Sequence, residues 1–181
     1  MQEENKNKKT SPINIKKLTI IAMLIAIGVV IGFICKSFLD FGGVFRITFE
    51  NLTILMAGIF YGPLVGGIVG FSVDFIAAIM SAQSMLPLIT VASTLVGVIS
   101  GIISHYVYKE KGTTQIILAA SIAHIICSMI IKPIALYPIY GDAVFFRIPI
   151  YLLIAPTEIL IICMLNSNSS FMHLIEEKES I

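Results

Sequence analysis

The sequence predicts an all-α membrane protein of six transmembrane helices with both termini on the cytoplasmic side. Three observations carry this. Hydrophobic residues make up 57% of the 181 and charged residues 13%, against roughly 45–50% and about 25% in soluble domains. Mean hydropathy is +0.95, which is more apolar side chain than a globule of this size hides from water. Most charges also fall between apolar runs rather than inside them.

A bilayer core of about 30 Å needs about 20 helical residues. By that ruler the spans are 17–36, 46–61, 63–82, 88–108, 114–137 and 145–167. Residues 1–17 form a polar, lysine-rich tail, 18–168 the six-helix domain and 169–181 a second tail. The first apolar run, Leu18 to Cys35, is too long for a secretory signal and has no small-x-small exit, so it reads as a retained helix. The breaks carry turn chemistry at Gly42-Gly43, Gly62-Pro63, Pro87, Gly112 and Pro138 to Gly141. Lys6, Lys8, Lys9, Lys16, Lys17, Lys109, Lys111 and Lys178 then lie on the inner side, and only Lys36, Arg46, Lys132 and Arg147 on the outer. That asymmetry obeys the positive-inside rule.

The second span is anomalous. Phe49 to Tyr61 supplies only about 20 Å of helix, so crossing requires the partly polar Arg46-Ile47-Thr48-Phe49-Glu50-Asn51. Polar groups at membrane depth are tolerated where they are buried in protein or line a wet cavity.

Ionisable groups inside a membrane are costly and mark function by default. Lys36, Arg46, Lys132 and Arg147 converge on the outer end, with Asp40, Glu50 and Asp142 as possible partners. One reading is a pocket for an anionic solute held by Arg forks; the other, for Lys36 and Arg147, is snorkelling to the headgroups. Asp74 and Glu158 lie near the middle of their spans and are either proton sites or helix-packing acceptors. His124 and His105 read as satisfied core or interface histidines, and Cys35, Cys127 and Cys163 as buried free thiols without metal-ligand spacing.

Small residues mark close helix contacts in lipid. Gly62, Gly66, Gly70, Asp74, Ala78 and Ala82 recur every four residues in the third span, and Ser93, Gly97, Gly101 and His105 in the fourth. In the first span Ala22 and Ala26 form one such pair, Gly28 and Gly32 another on a different face. Either one pair packs internally and leaves the other for a partner protein, or both pack internally. The chain has no phosphate-binding Gly-x-x-x-x-Gly-Lys-Ser/Thr loop, no His-Glu-x-x-His and no Gly-x-Ser-x-Gly elbow. No catalytic residue, cofactor or metal is therefore expected.

Arg46-Ile47-Thr48-Phe49, Ala57-Gly58 and Gly62-Pro63-x-x-Gly66-x-x-x-Gly70-x-x-x-Asp74 resemble the signature of the folate-family S components, the substrate-binding subunits of energy-coupling-factor (ECF) vitamin transporters. Elsewhere the resemblance is architectural. Glu50-Asn51 stands where small residues are often found, and Ser81 to Leu88 lacks the usual aromatic, Pro/Gly-rich connection. The resemblance implies a six-helix, non-enzymatic receptor in the bacterial plasma membrane that binds a vitamin, folate first among candidates, from outside. It implies partners too: a coupling membrane subunit, faced by Ala22 and Ala26, and two ATPases that hydrolyse ATP in its place. The toppling of the S component is thought to carry the occupied site inward.

The expected substrate-binding residues are Arg46, Arg147 and Lys132 for the carboxylates of a glutamate tail. Phe49, Tyr137 and Tyr140 would offer faces to a flat ring, and Thr48, Glu50, Asn51 and Asp74 a polar edge. The alternatives are an S component for another vitamin or a small anionic precursor, a small proton-coupled transporter centred on Glu158 or Asp74, and an intramembrane enzyme using Asp74, His124 and Glu158.

Overall fold

The computed structural model describes residues 15–41, 45–81, 86–108 and 112–169. The Gly42-Gly43 turn, the Ala82–Met85 part of the third-to-fourth connection, Lys109, Lys111 and the greater part of both predicted tails lie outside the described residues.

Helix α1 runs Ile15–Phe38 and leads into a minimal antiparallel ladder of β1 (Asp40–Phe41) and β2 (Phe45–Arg46), in which Asp40 faces Arg46. The Ile47 amide donates to the Leu39 carbonyl at 3.2 Å and extends this return. Helix α2 follows as Asn51–Tyr61, α3 as Pro63–Met80 and α4 as Pro87–Ile102, which continues as a π-helical turn, Ile103–Val107. Then come α5 (Thr113–Ala123), a π-helical stretch (His124–Ile131), α6 (Lys132–Tyr140), a 3₁₀ segment (Gly141–Phe146) and α7 (Arg147–Ser167).

The second span is thus not a helix over 46–61. Its first four residues form the end of the ladder and an extended lead-in, and Glu50 then turns into α2. Phe45, Ile47, Thr48 and Phe49 are β-branched or aromatic and suit extended backbone, and the β1–β2 pairing with the Ile47–Leu39 bond holds the start of the run in that form. Gly62, at φ 93°, ends α2 in a conformation open to glycine, and its amide donates to the Gly58 carbonyl at 3.0 Å. Pro63 then opens α3, where a missing N–H costs nothing. Pro87 does the same for α4.

Four helical stretches are long and apolar enough to cross a membrane: Ile15–Phe38, Pro63–Met80, Pro87–Val107 and Thr113–Ser167. The last is 55 residues of continuous helical backbone where two separate spans were expected. It turns back on itself at Gly141, whose φ of 56° breaks the regular path, so that α5 and the π-helical stretch both pack on α7. Pro133, just after the π-helical stretch, has no N–H to return to the Met129 carbonyl, a common cause of such local unwinding.

The core is apolar: Ile54, Leu55 and Ala57 of α2, Val69 and Val73 of α3, Val96 of α4, Ala119 and Ala123 of α5 and Ile162 of α7 are fully buried. α3 and α4 make the most extensive helix contact in the molecule. A Cβ built on Gly66 would strike the Gly97 carbonyl and one on Gly97 the backbone of Gly66. The two small-residue stripes of the sequence therefore meet, backbone on backbone.

Candidate functional site

The C-terminal end of α1, the ladder, the N-terminus of α2, the end of α3, the start of α4, α6 and the start of α7 all meet at one end of the bundle. Here lies most of the buried charge among the described residues. Lys36, Arg46, Glu50, Asp74, Lys132 and Arg147 are each less than one-tenth exposed.

Lys36 closes α1 and points inward. Its Nζ donates to Asp74 Oδ1 at 2.8 Å and to the Asp74 main-chain carbonyl at 3.1 Å. The Thr90 hydroxyl donates to Asp74 Oδ2 at 2.7 Å. One carboxylate thereby ties α1, α3 and α4 together. Lys36 is not a headgroup-snorkelling residue, and its partner is Asp74 on α3. Of the partners expected for these cations, Glu50 lies 4.0 Å from Lys36 Nζ, while Asp142 is exposed.

The lead-in to α2 is less satisfied. Arg46 Nη2 stands 3.7 Å from Glu50 Oε1, beyond hydrogen-bond distance. Arg46 Nε and Nη2, Thr48 Oγ1, Glu50 Oε2 and Asn51 Nδ2 are buried and have no hydrogen-bond partner among the described residues. Asn51 Oδ1, by contrast, accepts a bond from Lys132 Nζ of α6 at 3.1 Å. Lys132 also lies within electrostatic reach of Asp74 and Glu158. Arg147, buried at the start of α7, sits over the Tyr140 ring with 5.6 Å to its centroid.

The expected ring faces divide. Phe49 and Tyr140 are half-buried near the charged cluster, whereas Tyr137 is 51% exposed and turned onto Phe145, centroids 6.4 Å apart. Ala22 and Ala26 are exposed on the outside of α1. Gly28 and Gly32 are buried, with Thr53 and Val73 against the first and Glu50 and Ala77 against the second. The internal pair is therefore the glycine pair.

Deeper in the bundle, His124 Nε2 meets Glu158 Oε2 at 2.7 Å and its Nδ1 lies 3.3 Å from Ser128 Oγ. Both His124 and Glu158 are fully buried. Spacing along the chain gave no sign that they would pair, since they lie on either side of the reversal at Gly141. At the opposite end, His105 Nε2 lies 3.1 Å from the Ile59 carbonyl. Among the described residues no group of His, Cys, Asp and Glu is arranged to hold a metal ion.

A family model described as the substrate-specific component of ECF transporters matches residues 16–174. The chain belongs to the ECF transporter substrate-specific component family. The family is one of transporter components, and the long apolar helices of this chain fit a multi-pass membrane protein. A solved structure, FolT bound with folic acid, shares the fold of this ECF component: TM-score 0.67, 22% identity, 84% of this chain and 92% of that one covered. A curated relative from Mycoplasma pneumoniae, described as an uncharacterized protein MG098 homolog, is 30% identical over 105 residues, or 53% of this chain. The chain spans only 22% of that relative's length.

Proposed function

We propose that this chain is the vitamin-binding subunit of an ECF importer in a bacterial plasma membrane, that its ligand is folate, and that the ligand sits at the charged end of the bundle. The observation that carries the reading is the run Arg46 to Asn51, where five buried polar atoms have no hydrogen-bond partner among the described residues. Leaving a buried polar group unmade costs about 1–3 kcal/mol, so such a cluster on one short segment calls for a bound molecule that completes it. Arg46 is the anchor for a carboxylate, as a guanidinium forms paired, charge-assisted bonds with one. Arg147 extends the positive field around the tail, Phe49 and Tyr140 supply ring faces, and Thr48, Glu50 and Asn51 the polar edge, with Lys132 bonded to Asn51. Asp74, already engaged by Lys36 and Thr90, serves the site by holding Lys36 rather than by touching ligand. Tyr137 would reach the ligand only with a turn away from Phe145.

In this reading the chain crosses six times, the 55-residue stretch supplying two crossings around Gly141, and both termini face the cytoplasm. The coupling subunit and two ATPases supply the energy. The folate-bound FolT structure with the same fold supports the choice of ligand.

The test is a titration of the purified protein with folic acid, beside mass spectrometry of whatever small molecule co-purifies with it. Saturable binding of folic acid is expected. Arg46→Ala should raise the dissociation constant about tenfold or more, on the order of 1.4 kcal/mol. A different co-purified vitamin with no binding of folic acid would transfer the site to that ligand. An unchanged affinity in Arg46→Ala would sink the pocket assignment.

A further inference from the structure

Asn51 is fully buried, and its side chain has a polarity that its surroundings determine. An ammonium group only donates. Lys132 Nζ, 3.1 Å away, therefore requires the amide oxygen on its side and turns Nδ2 the other way. Nδ2 is buried without a hydrogen-bond partner among the described residues, in the same run as the unsatisfied Arg46 and Thr48 atoms. We propose that Asn51, oriented by Lys132, donates to a neutral ring carbonyl of the bound heterocycle and so selects ligands that present an oxygen acceptor there. Lys132 is on this account a positioning residue. The assignment to the ring rather than the tail follows from charge matching: an ionised carboxylate is best met by the Arg46 guanidinium, which leaves the uncharged carboxamide for an uncharged oxygen. The inference rests on the folate reading and adds the atom class that the site reads.

The experiment compares folic acid with aminopterin, which carries an amino group in place of the ring carbonyl and keeps the same tail. A site built to donate leaves its donor unpaired when the acceptor is replaced, and such sites discriminate strongly. The parent protein should prefer folic acid by about tenfold or more. In Asn51→Asp one oxygen keeps Lys132 and the other becomes an acceptor, so the preference should reverse toward aminopterin. In Lys132→Met the amide is free to turn, and the preference should shrink toward unity while thermal unfolding shows a folded protein.

Equal affinity of the parent for both compounds overturns the inference. So does an equal loss of both in Asn51→Asp, or an unchanged preference in folded Lys132→Met. Binding of neither compound by the parent overturns the folate reading and this inference together. Binding of folic acid without the predicted preference overturns this inference alone.

Discussion

Lys36 and Asp74 place opposite charges in the buried end of the bundle, and each is the other's nearest charged partner, at 2.8 Å. Burying a pair gains little over apolar residues of the same shape, but removing one member strands the other charge at a cost of about 3–5 kcal/mol. Lys36→Met should therefore lower the unfolding temperature in detergent sharply. Adding Asp74→Leu to it should recover most of the loss, because the stranded carboxylate goes with it. A single Lys36→Met variant as stable as the parent would mean that the pair does not hold α1 to α3. The sequence marks Lys36 as one of four cations at one end, and it leaves headgroup and pocket as rival destinations. It does not reveal Asp74 as the partner, nor Glu158 as the partner of His124. These pairs lie 38 and 34 positions apart. Their meeting depends on how one helix is rotated and shifted against another, which no spacing within a single helix records.

At the scale of elements, legibility follows the same division between local and relational information. The small-residue stripes of α3 and α4 are local patterns with one strong consequence, close backbone approach, and the contact of Gly66 with Gly97 fulfils it. The Gly62-Pro63 break is local as well, and it appears where the dipeptide stands. By contrast, Arg46 to Glu50 leave the helix because Asp40 pairs with Arg46, a contact between two segments that each read as helix ends or loop. What the shortness of the second span did disclose was its polarity at one end, and that polar run holds five buried atoms left unsatisfied among the described residues. The α3–α4 contact makes its own prediction. A side chain at position 97 collides with backbone, which cannot rotate away as a flexible side chain does. Gly97→Val should destabilise by about 1–3 kcal/mol, the usual range for overpacking, or unfold the protein. Gly112→Ala is the control: a Cβ there meets nothing within 4 Å, and its unfolding temperature should match the parent's. Equal behaviour of the two variants in thermal unfolding would show that helix proximity at Gly97 is not what stabilises the bundle.

For the whole molecule, the question is which surface of a bundle organised around one charged end would meet the coupling subunit proposed above. The inward side of α1 is accounted for: Gly28 and Gly32 admit Thr53, Val73, Glu50 and Ala77. Six residues separate Ala22 from Gly28, or about 240° around a helix of 3.6 residues per turn, so the alanine pair looks outward from the packed face. There it forms a shallow strip beside the exposed Leu18, Met23 and Ile27. Lipid needs no such strip, since tails pack equally well against large apolar residues, whereas small residues let a second helix approach closely. Ala22→Trp or Ala26→Trp should therefore abolish vitamin uptake in cells that supply the coupling subunit and ATPases. The same variants, purified, should bind ligand with the affinity of the parent, because the charged end is formed by other residues. Uptake is read with radiolabelled folic acid and binding by titration of the detergent-solubilised protein. Uptake that survives both substitutions would remove α1 from the coupling interface. Loss of binding along with uptake would instead assign Ala22 and Ala26 to packing within the bundle, with the partner surface on another helix.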